Sequence, residues 1–229
     1  MNDTPAIDIA GLRFGWTRDA VLLDVPELRV ARGERVFLHG PSGSGKSTLL
    51  GLLGGVLTPQ SGRVGVLGTD LATLPARARD RFRADHIGIV FQQFNLLPFL
   101  SARENVELAV RFSPRRAARA GDVRATALRL IAALGLDAPR LAALPAHRLS
   151  IGEQQRVAAA RALIGAPELV IADEPTSALD ADARDTFLDL LFAECAGAGS
   201  TLLFVSHERA LAPRFTRTLA LRELAGAAA

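Results

Sequence analysis

Apolar runs and helical periodicities alternate along the 229 residues of the chain. Val36-Phe37-Leu38, Leu169-Val170-Ile171-Ala172 and Leu202-Leu203-Phe204-Val205 are short and unbroken, the pattern of parallel strands buried on both faces. Ile87 to Phe91 reads as another buried strand. Nearer the start, Ile7 to Phe14 and Val21 to Val30 read as strands with a turn around Thr17-Arg18-Asp19, and Arg63 to Leu67 follows as a third. Pro75 to Asp85 predicts a polar helix. From about Ser101 to Leu163 the pattern turns helical. Ser101-Ala102-Arg103-Glu104 has the form of a capping box, Ala117 to Leu134 predicts one helix ending at Gly135, and another opens near Ser150. A helix from Asp182 to about Ala196 lies between the last two apolar runs, and Arg217 to Leu221 suits an edge strand. The pattern predicts an α/β body interrupted by a helical insertion at about residues 94–164, with a disordered Ala-rich tail after Leu224.

Between the strand at 36–38 and an apolar helix beginning near Ser47 lies Gly40-Pro41-Ser42-Gly43-Ser44-Gly45-Lys46-Ser47-Thr48. Gly40, Gly45, Lys46 and Ser47 fit the spacing G-x-x-x-x-G-K-[ST]. Glycines let such a loop turn its backbone N–H groups inward onto phosphate oxygens, and the helix adds the positive end of its dipole. Lys46 is placed to reach the β- and γ-phosphates of a nucleotide, and the Ser47 hydroxyl to ligate Mg²⁺. Lys46 is also the only lysine in the chain. It falls where a compact point charge on a flexible stem is wanted rather than a planar fork.

Composition narrows the classes. The net charge is only +3, so the isoelectric point near 10.2 reflects arginine without tyrosine rather than a basic excess. Arg77, Arg79, Arg81 and Arg83 cluster, but on a helix that is the pattern of a solvated face, and nucleic-acid binding is not expected. Cys195 is the single cysteine, which excludes a disulfide framework and suits a reducing compartment. The first five residues lack the features of a signal peptide, and no apolar run reaches the ~18 residues of a membrane span, so any membrane role is expected to come through a partner. The apolar run at 169–172 ends in Asp173-Glu174. Carboxylates at the carboxyl end of a strand in an open α/β sheet sit where ligands bind, which places Asp173 to hold Mg²⁺ and Glu174 to polarise an attacking water.

With these residues in hand, the chain resembles an ATP-binding cassette (ABC) ATPase from about Ile7 to Leu221. Leu149-Ser150-Ile151-Gly152-Glu153-Gln154-Gln155-Arg156 is similar to the family signature L-S-G-G-Q, with Ile151 in place of a Gly and Glu153 in place of a Gln. Ser150 also reads as a helix N-cap. The resemblance implies a P-loop NTPase fold: a RecA-like core, an antiparallel β subdomain and a helical insertion. It implies that Gln92 is a lid glutamine sensing Mg²⁺ and the γ-phosphate. Asp180, in Ser177-Ala178-Leu179-Asp180, becomes a residue communicating across a dimer, and His207 a switch on the γ-phosphate. His39, His86 and His147 keep a structural reading. Adenine is expected to stack on Trp16, with Phe14 as the substitute; either also suits core packing.

Leu53 to Gly62, Val90 to Pro98 and Glu104-Asn105-Val106 resemble the LolD-like lipoprotein-releasing and MacB-like macrolide-exporter ATPases. The resemblance implies ATP and Mg²⁺ as cofactors. It implies a homodimer sandwiching two ATP molecules between the phosphate loop of one copy and Ser150, Gly152 and Glu153 of the other. It also implies an integral-membrane permease of the MacB or LolC/E type, with the cassette peripheral on the cytoplasmic face of the inner membrane. The alternative is an ATPase of a non-transporting, cell-division-type signalling complex. The apolar loop of Phe94, Leu96, Leu97, Pro98, Phe99 and Leu100 is expected to face the permease.

Overall fold

The computed structural model describes residues 4–17 and 20–224. Arg18 and Asp19 of the expected turn, the extreme N-terminus and the tail after Leu224 lie outside them. In chain order the strands and α-helices are β1 (Ile7–Phe14), β2 (Leu23–Val30), β3 (Arg35–His39), α1 (Lys46–Leu53), β4 (Ser61–Val66), β5 (Thr69–Asp70), α2 (Ala76–His86), β6 (Ile87–Val90), α3 (Ala102–Arg111), α4 (Pro114–Ala120), α5 (Val123–Ala133), α6 (Ala138–Leu141), α7 (Ile151–Leu163), β7 (Leu169–Asp173), α8 (Ala181–Ala198), β8 (Thr201–Val205), β9 (Arg217–Ala220) and α9 (Leu221–Leu224). Two units divide them, one built from residues 1–83 and 201–229, the other from 84–200.

The first unit holds an antiparallel sheet in the order β2-β1-β4-β5 and a parallel set in which β3 lies between β8 and β9. In β1, Ile7 and Ile9 are buried, then Leu12 and Phe14, so the alternation slips by one residue in the middle. The pairing with β4 shifts between Ala10 and Arg13, and Gly11 takes φ 59 there, the geometry of a bulge. A side chain at Gly62 would overlap the Gly11 carbonyl, at 2.1 Å. Of the arginine cluster, Arg79 and Arg83 donate to the carbonyls of Gly55 (3.1 Å) and Gly54 (3.0 Å). They satisfy the C-terminal end of α1 rather than simply facing solvent.

The second unit contains the parallel pair β6–β7, the helices α3 to α8, and the stretch 94–164. The expected helix from Ala117 to Leu134 is two helices. Gly121 stops α4 with φ 63, and Asp122 caps α5 by accepting from the Ala125 N–H. The capping box of Ser101 and Glu104 is present in full at the start of α3. Ser113 caps α4 by accepting from the Arg116 N–H at 3.0 Å, without a reciprocal bond.

Candidate functional site

In the first unit, the phosphate loop joins β3 to α1. Gly43 (φ 76) and Gly45 (φ 93) take backbone conformations that favour glycine, and a Cβ at Gly45 would lie 2.7 Å from Leu23 Cδ2. The N-terminus of α1 has no side-chain cap and no acidic residue in its first turn, whereas α3, α4, α5, α7 and α8 are each capped by a Ser or Asp side chain. An uncapped N-terminus leaves its donors to an anion. Lys46 Nζ donates to the carbonyls of Gly40 (2.7 Å) and Pro41 (2.9 Å), so the ammonium lies inside the loop. Ser44 Oγ is buried with no hydrogen-bond partner, an orphan that a phosphate oxygen would satisfy. The loop therefore fits a nucleotide phosphate on four counts: backbone form, helix end, cation and orphaned hydroxyl.

The same unit carries two further expected residues. His207 follows β8 and is exposed. Trp16 is 70% exposed while Phe14 is 6% exposed, their rings in edge contact at 5.3 Å. Phe14 is core, and Trp16 has the open face. Gln60 holds the Trp16 turn by donating to the carbonyls of Gly15 and Thr17, both at 3.0 Å, a tie with no local sequence signal.

The second unit carries the remaining expected residues. Ser150 caps α7, accepting from the Glu153 N–H, and the Glu153 carboxylate accepts in return from the Ser150 N–H at 2.8 Å. Arg140 binds the other oxygen of Glu153 at 2.6 Å. Burial pushes the Glu153 carboxyl up, but the Ser150 hydrogen bonds and Arg140 outweigh it and hold its pKa below the usual range. Ile151, which stands where the family has Gly, is 60% exposed, so its side chain clears the packed face of α7. At Gly152 a Cβ would come within 3.3 Å of Leu179 Cδ2. Asp180 caps α8 by accepting from the Ala183 N–H at 2.8 Å. A cleft of about 520 Å³ is lined by residues including Arg140, Ser150, Gly152, Glu153 and Asp180.

Asp173 ends β7, and Glu174 follows it, buried, with φ 47. A non-glycine residue in that conformation costs energy and persists where its surroundings hold it, a feature of functional sites. Gln92 is exposed on a turn after β6, closed by the Phe94 N–H on the Phe91 carbonyl. Among the described residues no three His, Cys, Asp or Glu side chains form a metal-holding group. The donors proposed for Mg²⁺ are instead a hydroxyl, an amide and one carboxylate. That set suits an ion that draws most of its ligands from water and phosphate.

Of the apolar loop expected to face a partner, Phe94 turns inward at 9% exposure, while Phe99 is 72% exposed. The loop is held stiffly. The fully buried Asn105 accepts from the Leu97 N–H (2.8 Å) and donates to the carbonyls of Leu97, Leu100 and Ser101. His147 Nδ1 lies 2.7 Å from the Pro98 carbonyl. No helix among the described residues is long and apolar enough to cross a membrane.

Comparison with known proteins gives the family of the chain. The ABC transporter family model matches residues 23–177. The ABC transporter ATP-binding protein YbbA of Escherichia coli (strain K12) is 47% identical over 85% of this chain and 83% of its own length. The lipoprotein-releasing system ATP-binding protein LolD of Anaeromyxobacter dehalogenans is 43% identical over 95% and 91%. The macrolide export ATP-binding/permease protein MacB 1 of Aeromonas hydrophila is 42% identical over 96% of this chain but only 33% of its own length. Among solved structures, the dimeric bacterial ABC transporter cassette MJ0796 superposes with a TM-score of 0.84 at 35% identity over 93% of both chains, and a second MJ0796 dimer is a post-hydrolysis state bound to ADP and Pi. The chain has the P-loop NTPase fold of an ATP-binding cassette and belongs to the ABC transporter family, as one of its ATPase subunits.

Proposed function

We propose that this cassette dimerises around two Mg-ATP and drives a MacB/LolD-type permease from the cytoplasmic face of the inner membrane. The observation that carries the nucleotide reading is the phosphate loop, where Lys46 and the orphaned Ser44 hydroxyl converge at the uncapped end of α1. Gly40 to Thr48 bind the phosphates through backbone N–H groups and the Lys46 ammonium, and Trp16 supplies the adenine platform. Ser47, Gln92 and Asp173 hold the metal ion, which neutralises phosphate charge when bound. Glu174 accepts the proton of the attacking water, and His207 orients on the γ-phosphate. Ser150 and the Gly152 N–H close the site of the partner copy, with Asp180 beside them. The exposed Phe99, on a loop held by Asn105, is the surface offered to the permease, since connecting loops on a rigid scaffold commonly carry binding. The LolD and MacB relatives support that permease class.

Lys46→Ala tests the reading. It removes the only ammonium at the phosphates, so ATP hydrolysis is expected to vanish and nucleotide binding to weaken. Lys46→Arg is also expected to impair turnover, because the bulkier fork cannot occupy the carbonyl-lined position. Near wild-type turnover in Lys46→Ala would overturn the phosphate-loop assignment.

A further inference from the structure

The loop after Gln92 contains two successive non-glycine residues in the left-handed region, Phe94 (φ 56) and Asn95 (φ 50). Both conformations are disfavoured for side-chain-bearing residues, and the bulky Phe94 is the more unusual of the two. Two local bonds shape the turn: the Phe94 N–H to the Phe91 carbonyl at 2.9 Å and the Asn95 N–H to the Gln93 carbonyl at 2.6 Å. Neither bond uses the carbonyls of Phe94 and Asn95, and one side chain takes both. Arg161 donates through Nη1 to Asn95 O at 2.6 Å and through Nη2 to Phe94 O. Its planar fork presents a separate nitrogen to each of the two neighbouring acceptors, a geometry the single ammonium of a lysine does not share. Arg161 is partly buried, and burial lowers its pKa, so the cation is held there at a desolvation cost that the two carbonyl bonds offset.

Position along the helix gives this contact its meaning. Arg161 lies in the last turn of α7, whose N-cap is Ser150. The two are eleven positions apart along the helix, roughly 16 Å at 1.5 Å per residue. One rigid element therefore carries the signature at its start and grips the loop of Gln92 at its end.

We propose that Arg161 is the positioning residue for Gln92: by tying the carbonyls of Phe94 and Asn95 to the C-terminal turn of the signature helix, it sets the lid glutamine and carries displacement of Ser150 to it. The inference rests on Gln92 acting at the nucleotide, as proposed above. Arg161 touches neither ATP nor metal and acts only through the loop.

The test uses the full chain with Arg161→Met, which keeps an unbranched side chain and removes both donating nitrogens, and Arg161→Lys, which keeps the charge but replaces the fork with a single ammonium nitrogen. Steady-state ATP hydrolysis and hydrogen exchange of amides 93–97 are measured for each, and hydrolysis again in a Gln92→Ala background. Arg161→Met is expected to lower kcat about tenfold with KM little changed, and to speed exchange of the loop amides by about 10-fold or more. Arg161→Lys is expected to fall between Arg161→Met and wild type on both measures. In the Gln92→Ala background, Arg161→Met is expected to cost nothing further, because the residue it positions is gone. Unchanged loop exchange in Arg161→Met overturns the proposal, as does an equal loss of kcat with and without Gln92. A purely structural role would lower stability without the kcat-selective loss or its disappearance in the double variant. Wild-type kcat in Gln92→Ala alone would instead refute the lid role of Gln92, an outcome separable from the loop-exchange result.

Discussion

Arg116 offers the sharpest test of how the second unit is held together. It is 3% exposed, on α4, and its guanidinium donates to the carbonyls of Ile164 (2.9 Å from Nε), Ala162 (2.7 Å) and Ile87 (3.3 Å). These acceptors lie at the end of the signature helix, in the residue just after it, and at the start of the strand leading to Gln92. Gly165 makes the approach possible: its φ is 74, and a Cβ there would lie 2.5 Å from the Arg116 carbonyl. Burial lowers the Arg116 pKa to about 10, with Glu168 opposing the shift, so the group is cationic at neutral pH. Arg116→Met retains the packing volume but strands three carbonyls. Each unsatisfied buried polar group costs about 1–3 kcal/mol, and removing the desolvated charge returns part of that. The expected net loss is about 3–5 kcal/mol, roughly 6–20 °C in Tm for a chain of this size. Urea unfolding and thermal melts at neutral pH measure it. Arg116→Lys, which reaches fewer acceptors, is expected to lose less. A loss below about 1 kcal/mol for Arg116→Met would refute the idea that these carbonyl bonds hold the end of α7 against β6.

Gln155, on α7, is fully buried, and neither its Oε1 nor its Nε2 has a hydrogen-bond partner. Gln155→Met fills the same space without the desolvated amide, so stability is expected to rise by about 1–2 kcal/mol, read as an increase in urea midpoint. Glu168 is held by Arg115, by Arg119 at 2.9 Å and by His86 Nδ1 at 3.2 Å. Burial pushes its carboxyl up, but the hydrogen bonds from His86 and Arg115 lead the opposing effects and bring the pKa down from 4.5 to about 2. Its contribution is therefore fully present above pH 4.5 and is lost as pH falls toward 2. Glu168→Gln is expected to be less stable at neutral pH and to show a shallower acid limb in a pH series of melts.

The parts legible in the sequence were those with a local cause. Unbroken apolar runs at 36–38, 169–172 and 202–205 are strands that pair in parallel, the capping box at Ser101 and the cap at Ser150 each follow from residues three positions apart, and the phosphate loop follows from the one stretch Gly40 to Ser47. The break at Gly121 was missed because Ala-rich flanks carry a helical period straight through it, and one glycine is tolerated in many helices. Phe94, Asn95 and Glu174 carry no glycine to mark their left-handed backbone. Arg116, Arg161 and Gln60 bond carbonyls 29–67 positions away, so only the folded chain brings them to their partners. Asn105 is the instructive intermediate. It belongs to a stretch that resembles a family motif, yet its side chain bonds three carbonyls and an N–H of the loop before it. Trp16 and Phe14 differ in burial, which the aromatic residues alone do not reveal.

The central claim is a two-copy ATP sandwich with Glu174 as the base that discharges it. Glu174→Gln keeps size and hydrogen bonding but cannot accept the proton, and loss of a general base costs about 10²–10⁴ in rate. Lys46, Ser47 and Asp173 remain to bind Mg-ATP, and a ligand that binds only the closed dimer stabilises it by mass action. Size-exclusion chromatography with light scattering, with and without Mg-ATP, is the most direct measurement. The Glu174→Gln protein is expected to be monomeric without nucleotide and dimeric with it. A Glu174→Gln protein that hydrolyses ATP normally, or stays monomeric in saturating Mg-ATP, would contradict it.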